Sequence, residues 1–381
     1  MSPVRVVIVG AGANIASAHL RGLSEVGAQV IAVQDVDAQK AEAVAERIGC
    51  RAYSDLAEAL RESADLAVVL APHPFHADLV IACLDSGKHV LVEKPIADAV
   101  DRAESMLACA RRSGKLLAVA LQHRTRPEVQ AAHRLIQSGA LGTLQRVDLI
   151  GTWPRRHTYF EVTPWRGTWR GEGGGVVINQ GQHDLDLVTH LAGSPSRVVA
   201  WTRTRLHHIE TEDTAVALLE WSSGAVGAIH LSTCEADESQ RLELTGTAAR
   251  LRIVPGRLDI IRNQMDMRAF IASDGPPFEA PSTSPAETIE GEPFNHVAIY
   301  RNVLDAIQRG TPLIAPAEDA MATLELANAI LYSSATGGPV SLPLDRAAYA
   351  SFLQERRNQV ASSATRRPSS ATTPATTVRP G

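Results

Sequence analysis

No run of apolar residues approaches the roughly 20 that a membrane-crossing helix needs. The apolar stretch nearest the N-terminus, Val4 to Ile8, is too short for the core of a secretory leader and runs straight into glycines. Cysteine is scarce as well. Cys50, Cys83, Cys109 and Cys234 are scattered without a C-x-x-C pair. Each therefore reads as a small buried apolar residue in a reducing compartment. There is no block of Lys or Arg, and the net charge of -5 offers neither nucleic acid nor an anionic membrane an electrostatic footprint. A G-x-S-x-G elbow and a complete P-loop are also missing, which disfavours serine hydrolases and nucleotide hydrolases. No internal repeat is visible. These absences point to a cytoplasmic enzyme or sensor of small molecules, with no metal.

A hydrophobic fraction of 45% with 21% charged residues is that of a globular chain, and 381 residues exceed one ordinary core, so two domains are expected. Residues 1–123 alternate short apolar runs (VRVVIVG, QVIAVQD, LAVVLA, HVLVE, LLAVA) with amphipathic helical segments. Strands apolar on both faces and separated by helices mean a parallel α/β sheet covered on both sides. From 124 to 355 the pattern changes. LQRVDLIGTW, SRVVAWTRTRL, DTAVALLEWSSGAVGAIHLST, QRLELTGTAARLRIV and RLDIIR alternate as half-exposed strands with turns such as Ser223-Gly224. The expected second domain is α+β, built on an open, mostly antiparallel sheet. Residues 356–381, poor in anything to bury, are expected to be a disordered tail.

The segment Gly10-Ala11-Gly12-Ala13-Asn14-Ile15-Ala16 follows the first strand and opens a helix. A tight turn, a bare backbone at Gly12 and the free N–H groups of a helix start suit a dinucleotide pyrophosphate. Asp35 ends the second strand, where a carboxylate accepts the adenosine ribose hydroxyls and repels a 2′-phosphate. The cofactor is therefore read as NAD, against the plainer reading of Asp35 as a helix cap. Ala71 ends the LAVVLA run, with Pro72 and His76 after it, and Glu93 ends the HVLVE run, with Lys94 and Pro95 after it. Both ends fall where ligands sit in an open parallel sheet, so these six join Gly10, Gly12, Ala13, Asn14, Ile15 and Asp35 as cofactor-site candidates.

Pro95 holds Lys94 extended, and an ammonium there favours the alkoxide character that grows as hydride leaves carbon; the alternative is a surface lysine. Further on, a helix beginning near Asn179 would set Asn179, His183, Asp186 and His190 on one stripe after three glycines. His183 is then the natural base, with Asp186 to orient or balance its ring. The plainer reading is a capped helix with a structural histidine. His73, His76, His207 and His208 cluster in pairs without a compact set of cysteine or carboxylate ligands nearby, so no metal site is expected. Trp153, Arg155, Arg156, Tyr159, Trp165, Arg166, Trp169 and Arg170 crowd a short stretch that suits a saccharide or its acidic group, or equally an interface. Asn179, Tyr159, Trp165, Trp169, Arg124 and Arg156 are the substrate-binding candidates; Lys94 and His183 are the catalytic ones.

With those segments in view, the chain resembles the glucose–fructose oxidoreductase, inositol dehydrogenase and MocA family over residues 4 to 355. The likeness rests on VGAGANIASAHL, APHPFHADLVIACLDSGKHVLVEKPIA, WRGTWRGEGGGVVINQGQHDLDLVTHLAG, EDTAVALLEWSSGAVGAIH and LELANAILYSSATGGPVSLPL. It implies an NAD-dependent dehydrogenase or reductase acting on a hydroxyl or keto carbon of a sugar, sugar derivative or cyclitol. It also implies that Lys94 binds the reacting hydroxyl, that His183 accepts its proton, and that Pro95 follows a cis bond. Where inositol-dehydrogenase-like members carry Asp, this chain has Asn179, which moves the expectation toward glycosides, sugar acids or nucleotide sugars. Relatives that cleave glycosides through transient oxidation, and a non-catalytic NAD-binding regulator, are the alternative readings. The resemblance further implies a homodimer or homotetramer paired through the open sheet of the second domain.

Overall fold

The computed structural model describes residues 2–236, 240–292 and 296–364, with side chains through Gln359. The N-terminal part alternates strand and helix: β1 (Arg5–Val9), α1 (Ala16–Glu25), β2 (Gln29–Gln34), α2 (Ala38–Ile48), β3 (Arg51–Tyr53), α3 (Leu56–Leu60), β4 (Leu66–Val69), α4 (His76–Asp85), β5 (His89–Val92), α5 (Val100–Ser113) and β6 (Leu117–Val119). The strands form a six-stranded sheet in the order β3-β2-β1-β4-β5-β6, and every pair is parallel. β4 is buried at every position and β1 at every position after Arg5, because helices cover both faces. This is the Rossmann arrangement, in which carboxyl ends on either side of β1 open onto one crevice.

The rest of the chain runs α6 (Pro127–Gln137), β7 (Leu144–Thr152), α7 (His157–Glu161), α8 (Gln182–Ala192), β8 (Arg197–Arg203), β9 (Thr214–Glu220), β10 (Val226–Ser232), β11 (Arg241–Gly246), β12 (Ala249–Val254), β13 (Arg257–Arg262), α9 (Met267–Ala272), β14 (Glu287–Glu290), α10 (Val297–Arg309), α11 (Ala317–Thr336), β15 (Val340–Ser341) and α12 (Arg346–Ala364). Its nine-stranded sheet has the order β14-β13-β12-β11-β7-β10-β9-β8-β15. Only the central β7–β10 pair is parallel, so the sheet is mixed. The Ser223-Gly224 turn joins β9 to β10 as an antiparallel hairpin.

Two sequence expectations change. Chain order does not separate the two halves: Tyr300, Val303 and Leu304 of α10 belong to the same apolar cluster as Val6, Ile8 and Val68. And residues 356–364 are not a disordered tail, because they continue α12. Their composition buries little, but upstream Tyr349 and Leu353 are buried, and Arg357 bonds Asp98 and the Trp169 carbonyl. Residues 365–381 lie outside the described part. Among the described residues, no helix is long and apolar enough to cross a membrane. All four cysteines are free, Cys83 and Cys109 buried and Cys50 and Cys234 only partly so.

Candidate active site

One cavity of about 1370 Å³ runs from the turn after β1, past the ends of β4 and β5, to the inner side of the second sheet at Leu149, Leu242 and Ile253. At its first end, Gly10, Gly12, Ala13, Asn14, Ile15 and Asp35 all line the wall. The Gly12 N–H donates to Asp35 Oδ2 at 2.8 Å, and the Asp37 N–H donates to Oδ1 at 3.0 Å. A Cβ on Gly12 would sit 2.9 Å from Asp35 Oδ2 and 2.6 Å from the Lys40 side chain, so only bare backbone fits there. No side chain caps the start of α1, leaving that helix end open to an anion. Asp37, not Asp35, is the cap of α2, which leaves Asp35 at the cavity wall. These residues fit an NAD: Gly12 and the start of α1 would hold the pyrophosphate, and Asp35 the adenosine ribose.

Ala71, Pro72, His76, Glu93 and Lys94 also line the cavity. The Lys94–Pro95 bond is cis. His76 does not offer a ring nitrogen to a ligand, however. Both nitrogens face main-chain carbonyls, Nδ1 that of Pro95 at 2.8 Å and Nε2 that of Ala71 at 2.7 Å. The fully buried ring thus ties the β4 end to the β5 end. Glu93 is similarly committed, with Oε1 at 2.9 Å from His19 Nε2 and Oε2 accepting the Lys94 N–H at 3.1 Å. Burial pushes its carboxyl up, but the His19 bond and nearby positive charge outweigh burial and hold it below the usual range.

Lys94 Nζ donates to the Asn179 carbonyl at 2.9 Å and lies 3.5 Å from Asn179 Oδ1. Burial lowers its pKa, partly offset by Glu93 and Glu172 and reinforced by Arg166 and Arg155. Asn179 precedes α8 by one turn, so the anticipated four-residue stripe is not helical from its first member. Close packing is the reason: a Cβ on Gly175 would overlap the Glu212 carbonyl, and the Glu212 carboxylate accepts the Gly175 and Val177 N–H groups at 2.8 and 3.0 Å. The main chain is fastened to that carboxylate before a helix can begin.

His183, in the first turn of α8, lines the same cavity as Lys94 and the glycine turn. Its ring stacks on His123 at 4.4 Å, its Nε2 faces the Gln122 amide at 3.4 Å, and its buried Nδ1 has no partner among the described residues. Burial, then the charges of His123 and Lys94, pull its pKa well below the usual histidine value. The ring is neutral near pH 7, as a proton acceptor must be.

Four sequence-based assignments do not survive. Asp186 does not touch the His183 ring; fully buried, it takes a paired bond from Arg124 at 2.8 and 2.7 Å and one from Thr323 at 3.0 Å. Arg124 is therefore not a substrate ligand. Its third bond goes to Asp319 at 2.7 Å, and it borders a separate cavity of about 470 Å³ with His133 and His190. Arg156 is exposed where α7 begins, while Arg155 and Tyr159, four residues apart, line the cavity. Trp169 turns away, its indole N–H bonded to the Glu210 carbonyl at 3.1 Å and its ring packed on Phe352. Trp165 and Tyr159 do line the cavity.

The structure also adds residues that local sequence did not single out. Glu172 is buried, accepts the Asn179 amide, and takes the Gly167 N–H at 2.6 Å. Burial pushes its carboxyl up to about 7. An acid immediately before three glycines was the available signal. Asp184, pushed up to about 6 by burial, and Gln122 and Gln180 join the wall only through folding. Folding also gathers ligand-type atoms that sequence left apart. His207 Nδ1 lies 3.2 Å from Asp213 Oδ2 and 3.5 Å from Cys234 Sγ. That carboxylate oxygen is already taken by the Arg205, Leu206 and His207 N–H groups. His19, Glu93 and His296 make a second such group.

The model of the NAD-binding Rossmann fold of the GFO/IDH/MocA oxidoreductase family matches residues 4–121, and that of the GFO/IDH/MocA C-terminal domain matches residues 129–252. The chain belongs to this family. It is an NAD-binding oxidoreductase with the family's two-part architecture. It is 27% identical over 334 residues to a D-apiose dehydrogenase of Paraburkholderia graminis, covering 85% of this chain and 86% of that one. A scyllo-inositol 2-dehydrogenase of Bacillus subtilis is 24% identical over 364 residues, 90% of this chain and 98% of that one. Among solved structures, the WlbA dehydrogenase of Bordetella pertussis, determined with NADH and UDP-GlcNAcA, superposes with a TM-score of 0.76. It is 25% identical, over 90% of this chain and all (100%) of that one.

Proposed function

We propose that this oxidoreductase moves a hydride between NAD and a secondary hydroxyl or keto carbon of a sugar, sugar derivative or cyclitol. The observation that carries the proposal is the shared cavity of Lys94, Asn179 and His183 with the Gly12–Asp35 cradle. NAD, when bound, supplies the hydride acceptor or donor. In the oxidative direction the Lys94 ammonium donates a hydrogen bond to the substrate oxygen and stabilises the negative charge that grows on it. The neutral His183 imidazole accepts the hydroxyl proton, and Asn179 fixes a neighbouring hydroxyl through its amide. The same residues serve the reverse reaction, with His183 returning the proton. Asp35 favours NAD over NADP, since a 2′-phosphate would meet its carboxylate. The names of the curated relatives, apiose and inositol dehydrogenases among them, agree with the substrate class.

The test is NADH absorbance with a panel of sugars and cyclitols. Lys94→Ala should slow turnover by roughly 100-fold, about 2.7 kcal/mol of transition-state stabilisation, while NADH still binds. Unchanged turnover would remove Lys94 from the chemistry. Two coarser expectations belong to the same proposal: a cytoplasmic enzyme, in keeping with four free cysteines, and a homo-oligomer paired through the second sheet. The support for pairing is the exposed apolar face of Trp201, Leu218 and Val226, 51, 52 and 55% accessible.

A further inference from the structure

Among the described residues, the end of the cavity around Lys94 carries arginines that its acids do not neutralise. Arg155 makes no ion pair among the described residues; its guanidinium donates only to the Pro154 carbonyl at 3.1 Å, and its Nε is buried without a partner. The main chain beside it is nonetheless fixed, with the Arg155 N–H bonded to the Thr233 carbonyl at 3.1 Å and its own carbonyl 3.0 Å from His207 Nε2. Arg166 likewise has a buried, unpartnered Nε. Both guanidinium groups lie over the Tyr159 ring, at 5.1 and 4.4 Å from its centre. Tyr159 Oη in turn accepts from Arg166 and lies 3.4 Å from Asn179 Nδ2, and Asn179 holds Lys94. Three cations thus line one wall beside the reacting position.

Glu93 offsets Lys94, but the acid beside Arg166 is a poor counter-ion. Glu172 Oε1 is 3.9 Å from Arg166, its oxygens are already taken by the Asn179 amide and the Gly167 N–H, and burial leaves it only partly ionised near neutrality. Guanidinium groups with so little counter-charge in a half-buried wall are costly. Their planar forks match an oxyanion with two acceptor oxygens.

We infer that Arg155 and Arg166 form a subsite for an oxyanion on the substrate, so that the sugar carries a carboxylate or a phosphate ester close to the hydroxyl held by Lys94. The inference narrows the proposed function and takes from it only that the ligand is a sugar.

Its test is binding to the NADH-loaded protein, read by nicotinamide fluorescence. Glucose is compared with glucuronate and glucose 6-phosphate, and galactose with galacturonate. At least one anion should bind more than tenfold tighter than its neutral partner, and whether glucuronate or the phosphate ester leads identifies the oxyanion. The advantage should fall at least fivefold in Arg155→Met and in Arg166→Met, with part of it kept in the corresponding Lys variants, while unaltered NADH affinity reports an intact fold. Anions that bind no tighter than their neutral partners overturn the subsite, as does an advantage that survives both Met variants. Because binding is read without turnover, the two proposals fail separately. A panel that binds but never reduces NAD sinks the dehydrogenase reading alone. Equal binding of acid and neutral sugars with steady NADH formation sinks the subsite alone.

Discussion

β4 and β9 sit inside their respective sheets, yet their side chains meet different surroundings. Every residue of β4 is buried, whereas β9 alternates buried and exposed positions along its length. The parallel sheet is covered by helices on both faces within one chain. The nine-stranded sheet is covered on one face by α8 and α11 and leaves Trp201, Val216, Leu218 and Val226 exposed on its strands. The first sheet is finished by its own chain; the second presents apolar surface that a lone monomer leaves wet. The candidate active-site residues share a cavity between them, with the proposed cofactor cradle on the finished sheet and His183 on a helix packed against the unfinished one.

Single substitutions test that contrast, starting with the largest effect. Val68→Asp puts a charge among residues of zero exposure. It should cost more than 4 kcal/mol, seen as loss of the folded fraction in a denaturant titration. Asp186→Asn strikes the seam between the halves, because Arg124 follows β6 while Asp186 belongs to α8 and Asp319 to α11. Leaving that buried guanidinium short of its paired acceptor should destabilise by about 3 kcal/mol, with a denaturant midpoint well below wild type.

A pH series comes next. The Glu172 carboxyl is raised by burial from 4.5 to about 7 in the fold, so the folded state holds a proton that the unfolded chain has already released. Stability is therefore fully present below pH 4.5, and it falls as pH rises through that window to about 7. Glu172→Gln should remove up to about 3 kcal/mol of that fall, in melting curves taken from pH 5 to 8. A slope equal to that of wild type would show that Glu172 is not protonated in the fold. Asp184 and Glu212, raised to about 6 and about 7 by burial, slope the same way, so some decline should remain. Smallest in stability is Leu218→Lys, half-exposed on β9, which should alter monomer stability by no more than about 0.5 kcal/mol while light scattering reports dissociation. If it were as damaging as Val68→Asp, the two sheets would not differ as described.

The parallel sheet was legible because strands apolar on both faces between amphipathic helices have few other uses. The glycine turn and Asp35 were legible because three demands (strand, turn, helix start) fall on consecutive residues. Other assignments failed where long-range partners took over. His76 is used up by two carbonyls on different strand ends, and Arg124 and Asp186 by one another across 62 positions of chain. Trp169 was claimed by Phe352 of α12, and Arg155 rather than Arg156 lines the cavity, its main chain tied to the distant Thr233 carbonyl. Nothing within a short window encodes any of these.

What the amino-acid order determined by itself was therefore periodicity and local backbone demand: which runs are strands, which turn accepts a bare pyrophosphate, and where a lysine stands after a strand. What only the tertiary structure decided was partnership. A charged or polar side chain buried in a fold must find a hydrogen-bonding partner, and which of several partners it meets depends on the packing of segments far apart in the chain. Arg124 met its carboxylates and left the cavity wall; Arg155 and Arg166 stayed there with bonding capacity to spare.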